Sequence, residues 1–248
     1  MTHGRFRMDC MRSLALFLLG TSALLGTSAL LTGQQSMPVA ELVREFKANP
    51  VFWEQFEVSE KLARRHDPAV LTQLEPYMKD DDRHVRGNAA FVFAAGGDDR
   101  GFEVIAKILK DRSDRPEGRG MPGGNWSVSA QIASDRYYAA HLFGDLKDWR
   151  AVPILIPLLH DPEVHSIVPW SLGQIGDKAA VAPLFATLRD VDPDMRVLAI
   201  YALETLKAKE ALPQLRALVH DEERIHFDGL GTVADAAKKA AAELQALP

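Results

Sequence analysis

Apolar residues recur along the second half of the chain at intervals of three and four. Val152, Leu155, Leu158 and Leu159 make one such stripe, Val181, Leu184, Phe185 and Leu188 a second, and Leu212, Leu215 and Leu218 a third. That spacing puts each set on one face of an α-helix, and no alternating, turn-bounded run competes as a strand. The stripes belong to a larger repeat. VHSIVPWSLGQIGD at 164–177 and MRVLAIYALETLKA at 195–208 are two copies of one phrase; VRGNAAFVFAAGGD at 85–98 and DRYYAAHLFGDLKD at 135–148 are looser ones. The copies begin 50, 29 and 31 residues apart. A second amphipathic stretch follows each copy, so the unit is a helix–turn–helix of about thirty residues, and self-similarity at such a period marks a stacked architecture.

The elements follow from this reading. MPVAELVREFKANP (37–50) predicts a short helix opened by Pro38 and stopped before Pro50. A degenerate pair is expected at 51–65 and 69–79, with His66-Asp67-Pro68 as its turn. Further pairs are expected at 83–96 with 100–110, 135–147 with 150–160, 164–176 with 178–189, and 195–207 with 209–220. Gly176 stands where a helix end wants a left-handed residue. Thr232 and Asp235 form a capping-box pattern ahead of an alanine-rich, charged terminal helix, as the end of a stacked array requires. Asp82, Asp161, Asp192 and Asp221 precede the next helix of their repeats and are expected to cap free N–H groups. Pro169, read as mid-helix, is expected to kink its helix and tilt Trp170 outward.

One segment breaks the period. Residues 111–134, rich in Gly, Pro, Ser and Arg, stretch one interval to 50 residues. Loops this long are uncommon and often functional, which makes Trp126 inside it a candidate contact. Asn125-Trp126-Ser127 also matches a glycosylation sequon, a short pattern that chance supplies often.

Charge and the N-terminus narrow the function classes. The formal net charge is −5. Residues 1–33 carry Arg5, Arg7 and Arg12 against Asp9, so the rest of the chain is more acidic still. An acidic body argues against nucleic acid or anionic lipid as a partner. Residues 14–33 are free of charge and follow a basic segment, the order of a secretory signal peptide; an uncleaved anchor is the alternative. Export to the periplasm or outside the cell is therefore expected, with any membrane link made only through residues 14–33. The single cysteine, Cys10, precedes the apolar run. The repeat domain, 37–248, then has no disulfide and no thiolate chemistry.

The phrase resembles the HEAT repeat, and specifically the short HEAT-like units associated with phycobilisome lyases. Val164, Leu172, Gly173, Ile175, Gly176 and Asp177 carry the likeness in one copy, Val85, Arg86, Ala89 and Ala90 in another, and Arg196, Ala199, Ala202 and Leu203 in a third. The resemblance implies an all-α superhelix, a HEAT-like solenoid of about five helix pairs. It also implies an Asp–Arg ladder, with Arg86 and Arg196 four residues after Asp82 and Asp192, and Arg136 and His165 at the matching places. No catalytic motif travels with the repeat, so bilin-lyase-type activity is not expected from it.

Candidate chemistry is sparse. His-Asp occurs at 66–67, 160–161 and 220–221, but His160 and His220 lie two repeats apart, on the order of 20 Å for helices packed about 10 Å apart, and cannot share a metal. Asp80-Asp81-Asp82 lacks the spaced oxygens and glycine of a calcium loop. No G-x-S-x-G elbow occurs. No catalytic residue, metal or cofactor is expected. The seventh place of the phrase departs from the family pattern: it holds Phe91, His141, Trp170 and Tyr201, where a polar residue is usual. The third and eleventh places beside it (Tyr137 and Asp145, Ser166 and Gln174, Val197 and Thr205) are poor in charge. Together with Trp126, this register is a candidate site for binding a protein or peptide; the competing readings are that its rings pack on one another as inter-repeat contacts or lie under the 111–134 insert. The resulting expectation is an exported, non-enzymatic scaffold for protein–protein interaction. The alternative is an enzyme or small-ligand carrier with its site beneath the 111–134 insert.

Overall fold

The computed structural model describes residues 37–114, 127–226 and 231–248. The 1–33 segment, Trp126 and the middle of the insert lie outside them. The described chain is all-α, with twelve α-helices packed as neighbouring pairs in the manner of an α-α solenoid. Among the described residues no strand forms, and a single isolated bridge joins Arg224 to Thr232. No described helix is long and apolar enough to cross a membrane. The chain divides into two compact units, 37–177 and 178–248.

The first unit holds α1 (Val39–Ala48), α2 (Phe52–Ala63), α3 (Pro68–Leu74), α4 (Arg83–Ala95), α5 (Asp99–Lys110), α6 (Val128–Leu146), α7 (Val152–Leu155) and α8 (Val168–Ile175). The expected turn at His66-Asp67-Pro68 is present: His66 adopts a left-handed φ of 49°, and Asp67 caps α3 by accepting from Ala69 N at 2.9 Å. Asp82 caps α4 in the same way, from His84 N at 2.9 Å. The first members of the repeats, α2, α4, α6 and α8, pack in succession, and α5 lies against both α4 and α6. Phe46, Phe93, Leu142, Phe143, Leu155 and Leu172 are wholly buried between them. Each such side chain stabilises the fold by about 1.5–3 kcal/mol relative to exposure.

The crossing of α4 and α5 depends on a missing side chain. A Cβ on Gly101 would meet Ala90 O and Ala94 N at 2.3 Å, well inside contact distance. The two backbones touch there because nothing stands between them.

Apart from the continuous α5, the second members are less regular than their stripes predict. Glu75–Lys79, Trp149–Ala151 and Ile156–His160 are 3₁₀ turns on either side of short α segments. Pro76, Pro153 and Pro157 remove donors from the i→i−4 ladder, and the tighter winding accommodates them.

Three expectations need correction. α6 begins at Val128, not 135, with Ser127 capping it from Ala130 N at 3.2 Å. Glycine and proline end at Gly124, and VSAQIAS contains no breaker, so seven residues assigned to the insert are helical. The 164–177 copy yields α8 only from Val168, which places Pro169 in the first helical turn rather than mid-helix. Its missing N–H is then no loss, and Trp170 is buried at 8% exposure instead of tilted outward. Asp161 does not cap α8; it starts a turn, accepting from Glu163 N at 3.1 Å. Gly176 does end α8 with φ of 81°, as expected.

The second unit holds α9 (Val181–Thr187), α10 (Pro193–Thr205), α11 (Leu212–Ala217) and α12 (Val233–Ala246). α10 packs on α9 and α12, and α12 also on α11. The capping box is complete: Asp235 N donates to Thr232 Oγ1 at 3.2 Å, and Thr232 N to Asp235 Oδ2 at 3.0 Å. The Asp–Arg ladder takes a particular form in both units. Two of the arginines reach the aspartate of the following turn, Arg196 to Asp221 at 3.0 Å and Arg136 to Asp161 at 2.6 Å; Arg86 donates instead to Asp80 O at 2.7 Å, and Asp111 of its following turn is held by Arg83.

Candidate functional site

The polar and aromatic side chains of the first unit gather on facing stripes of three helices. α6 presents Ser134, Tyr138, His141 and Asp145, spaced four, three and four, so they share one face. α4 presents His84, Asn88 and Phe91 at the same spacing. α2 supplies Phe52, Gln55 and Phe56, and α8 adds Trp170.

At one end of this arrangement lies a buried charge cluster. Arg83 is 4% exposed; its guanidinium contacts Asp135 at 3.3 Å and Asp111 at 3.0 Å, and donates to Ser113 O and Oγ at 3.0 Å. His84 Nδ1 lies 3.3 Å from Asp135 Oδ1, and its Nε2 is 3.4 Å from Ser134 Oγ. Phe52 stacks on the imidazole at 4.1 Å. Burial works against ionising Asp111, but the Ser113 hydrogen bonds and the Arg83 and Arg86 charges outweigh it and hold the carboxyl below its ordinary range. Burial and the like charge of Arg83 lower Arg86. Asp111 and Ser113 stand at the start of the 111–134 segment, and Ser134 and Asp135 at its end. The cluster thus ties the two roots of that segment together.

A row of rings extends from this cluster. Tyr138 meets Phe52 edge-on at 4.8 Å and donates its hydroxyl hydrogen to Asn88 Oδ1 at 2.5 Å. Asn88 in turn donates to Phe52 O at 2.8 Å and to Gln55 Oε1 at 2.9 Å. Phe56 meets Phe91 at 4.9 Å and His141 at 6.3 Å, both edge-on. His141 stacks on Trp170 at 4.5 Å with the planes 20° apart. Gly144 permits this stack: a Cβ there would stand 2.6 Å from Trp170 Cζ3.

His141 and Asp145, one turn apart, set an imidazole against a carboxylate on the row. Nδ1 and Oδ2 are 2.9 Å apart, yet both atoms are shielded from solvent without a hydrogen bond. The distance makes an ion pair possible, but the alignment is too poor for a hydrogen bond. Alignment governs here, because a hydrogen bond weakens steeply as its angle closes. Both atoms therefore keep an unmade bond.

The register picked out in the sequence is thus divided. Phe91, His141 and Trp170 come together in the first unit, joined by Phe56; Phe91 and Trp170 are buried, and His141 is partly exposed. Tyr201 belongs to the second unit, half-buried on α10. Trp126 lies outside the described residues. Sequence reasoning missed Phe52, Phe56, Tyr138 and the Arg83–His84–Asp135 cluster. The signal was the Ser134–Tyr138–His141–Asp145 stripe, which places polar groups at the spacing normally kept for aliphatic ones. In the second unit Asp192, Asp194 and His226 bring one ligand-type atom each to within 4.8 Å of one another. Both carboxylates are committed there to turn geometry, Asp192 Oδ1 accepting from Asp194 N and Asp194 Oδ1 from His226 N.

No protein-family model matches the chain. Over 149 residues, 58% of this chain and 54% of the relative, it is 32% identical to the bilin biosynthesis protein PecE of Nostoc sp.. The PecE of Mastigocladus laminosus is 31% identical over 149 residues, 58% of this chain and 51% of its own length. The phycocyanobilin lyase subunit alpha of Picosynechococcus sp. is 37% identical over 113 residues, 38% of this chain and 42% of its own length. The chain spans about half the length of the curated relatives it matches. These similarities overturn two expectations, the non-enzymatic scaffold and the absence of enzymatic activity, since the relatives are named for bilin biosynthesis and as a lyase. The physical reason is that a stacked-helix protein spreads its functional side chains over several repeats. No short linear motif is left to read, so a missing motif carried no weight.

Proposed function

We propose that this chain is a bilin-handling protein of the lyase type, which binds an open-chain tetrapyrrole and acts on it together with a protein partner. The observation that carries this reading is the similarity over 149 residues to proteins named for bilin biosynthesis, joined by the lyase subunit. The chemistry of the first unit supports it. A bilin is a conjugated, largely flat molecule with ring N–H donors. Sites for such ligands are mostly apolar and aromatic, with a few placed polar groups. The ring row and its His141–Asp145 pair have that composition. A lyase forms or breaks a bond by addition or elimination at a double bond, so the side chains it needs are ones that orient a conjugated system and hold or accept protons. Imidazole and carboxylate serve both purposes.

The direct test mixes the purified chain with phycocyanobilin and an apo bilin-binding protein as acceptor. Covalent pigment is then followed by its fluorescence on a denaturing gel. The proposal expects a change in the visible spectrum of the bilin on mixing, and covalent transfer at least about tenfold faster than without the chain, a difference of about 1.4 kcal/mol in barrier. An unchanged bilin spectrum together with an unchanged transfer rate would refute it.

A further inference from the structure

We infer that the Trp170–His141 stack and the Asp145 carboxylate form the contact site for a pyrrole ring of a bilin, with Phe56 and Tyr138 bounding it. This placement rests on the bilin-handling reading proposed above.

Three observations converge on it. The first is the ring row itself. Phe56, Tyr138, His141 and Trp170 come from three helices and lie 4.5 to 6.3 Å apart from ring to ring; Phe56 and His141 are partly exposed over the buried Tyr138 and Trp170, an aromatic patch on which a conjugated ring can pack. The second is that the row is preorganised. Trp170 sits directly on the Gly144 backbone, and its plane is set by His141. Little ordering is left for binding to impose, and that ordering is a main cost of association.

The third observation gives the site its polarity. Asp135 is a poor acceptor for a ligand, since Arg83 and His84 already engage it. Asp145 Oδ2 and His141 Nδ1 face each other at 2.9 Å without an aligned hydrogen bond. Those two atoms are themselves shut off from solvent, but the side chains that carry them retain 24% and 26% exposure, so the Asp145 carboxylate reaches the rim of the row. A ring N–H of a tetrapyrrole can donate to that exposed edge of the carboxylate. A hydrogen bond to an ionised acceptor is roughly twice as strong as a neutral one. Aromatic stacking on one side and a carboxylate at the rim thus match the two features that set a pyrrole ring apart from a plain hydrocarbon.

The test uses the full chain and phycocyanobilin, with affinity read from the visible absorbance change and proximity from quenching of tryptophan fluorescence by energy transfer to the pigment. Four chains are compared with wild type: Asp145→Asn, Trp170→Leu, Trp170→Phe, and Trp149→Phe as a control, Trp149 being 68% exposed on an outer 3₁₀ turn. Asp145→Asn keeps the shape of the side chain, so it stays informative if Trp170→Leu fails to fold. Affinity is expected to fall about tenfold in Asp145→Asn and by more in Trp170→Leu. Both tryptophan-to-phenylalanine variants are expected to keep binding, and Trp170→Phe to remove a larger share of the total quenching than Trp149→Phe, the other two of the four tryptophans being common to both. If wild type binds the pigment and Asp145→Asn binds it within about twofold, with these two tryptophan variants quenched alike, the placement is wrong and the bilin reading stands. If wild type binds no pigment at all, both fall.

Discussion

Replacing Glu204 with glutamine should make the protein more stable at pH 8 while leaving it unchanged at pH 5. Glu204 lies on α10 against Glu243 of α12, and its Oε2 is shielded from solvent. Burial first, then the hydrogen bond and charge of Glu243, push its carboxyl from the ordinary 4.5 up to about 7. Oε2 has no hydrogen-bond partner, so ionising Glu204 beside Glu243 sets two like charges together with one oxygen shielded from solvent and unpaired. The folded chain therefore keeps this proton to near pH 7, whereas the unfolded chain releases it near 4.5. Between those values the folded state binds more protons, so stability falls as pH rises. The gap between the two values corresponds to about 3 kcal/mol if fully expressed. Glu243 is 52% exposed and paired with Lys239 at 3.8 Å, so solvent screening reduces the expected loss to about 1–1.5 kcal/mol. Glutamine does not titrate and can donate its amide hydrogen to Glu243 throughout. Urea unfolding of wild type and Glu204→Gln at about pH 5, 6.5 and 8 measures the difference between their pH dependences, in which every other titrating group cancels. Equal stability at pH 5 and a variant more stable by about 1–1.5 kcal/mol at pH 8 is expected. Parallel stabilities across the whole range would show that Glu204 does not keep its proton.

Other substitutions probe the packing and the candidate site. Gly101→Ala gains about 1 kcal/mol of helix propensity, but its Cβ collides with two backbone atoms that cannot rotate away. Overpacking of about 1–3 kcal/mol or more wins, and the melting temperature should drop by several degrees. Lys147 ends α6 in the left-handed region with φ of 54°, a conformation costing a side-chain-bearing residue about 1–2 kcal/mol; Lys147→Gly should therefore raise stability by a few tenths to about 1 kcal/mol in chemical unfolding. Asp135→Ala leaves Arg83 and His84 buried without their shared acceptor and should cost about 3–5 kcal/mol. Asp111 softens that loss for Arg83 alone, and calorimetry should place Ser134→Ala within about 1 kcal/mol of wild type.

The legible part of this molecule was the part encoded within a single turn or helix. Asp67, Asp82 and Asp192 cap through a neighbour two residues away, and Thr232 and Asp235 close a box over three. Their types and spacing suffice to read them. Pro169 misled because a proline signals a helix start or a helix kink equally well, and only the position of the first hydrogen-bonded turn decides between them. The candidate site was half visible. His141 and Trp170 stood out as aromatic residues at a usually polar place, since the repeat supplied a pattern to depart from. The Arg83–Asp135 pair spans 52 residues, across an insert of no fixed length in the repeat. Nothing local announces such a contact, because it exists only once α4 and α6 pack.

The unequal regularity of the two helix layers has a consequence for how the chain breathes. α4 and α6 are long, continuous and buried along one side, whereas α7 and its flanking 3₁₀ turns are short and interrupted by Pro153 and Pro157. Their hydrogen bonds are fewer and poorer in geometry, so amide protons in 149–160 should exchange with solvent water far sooner than those of α6, through local opening rather than global unfolding. A time-resolved deuterium map of the first unit would show this as two rates, slow along α4 and α6 and fast across 149–160.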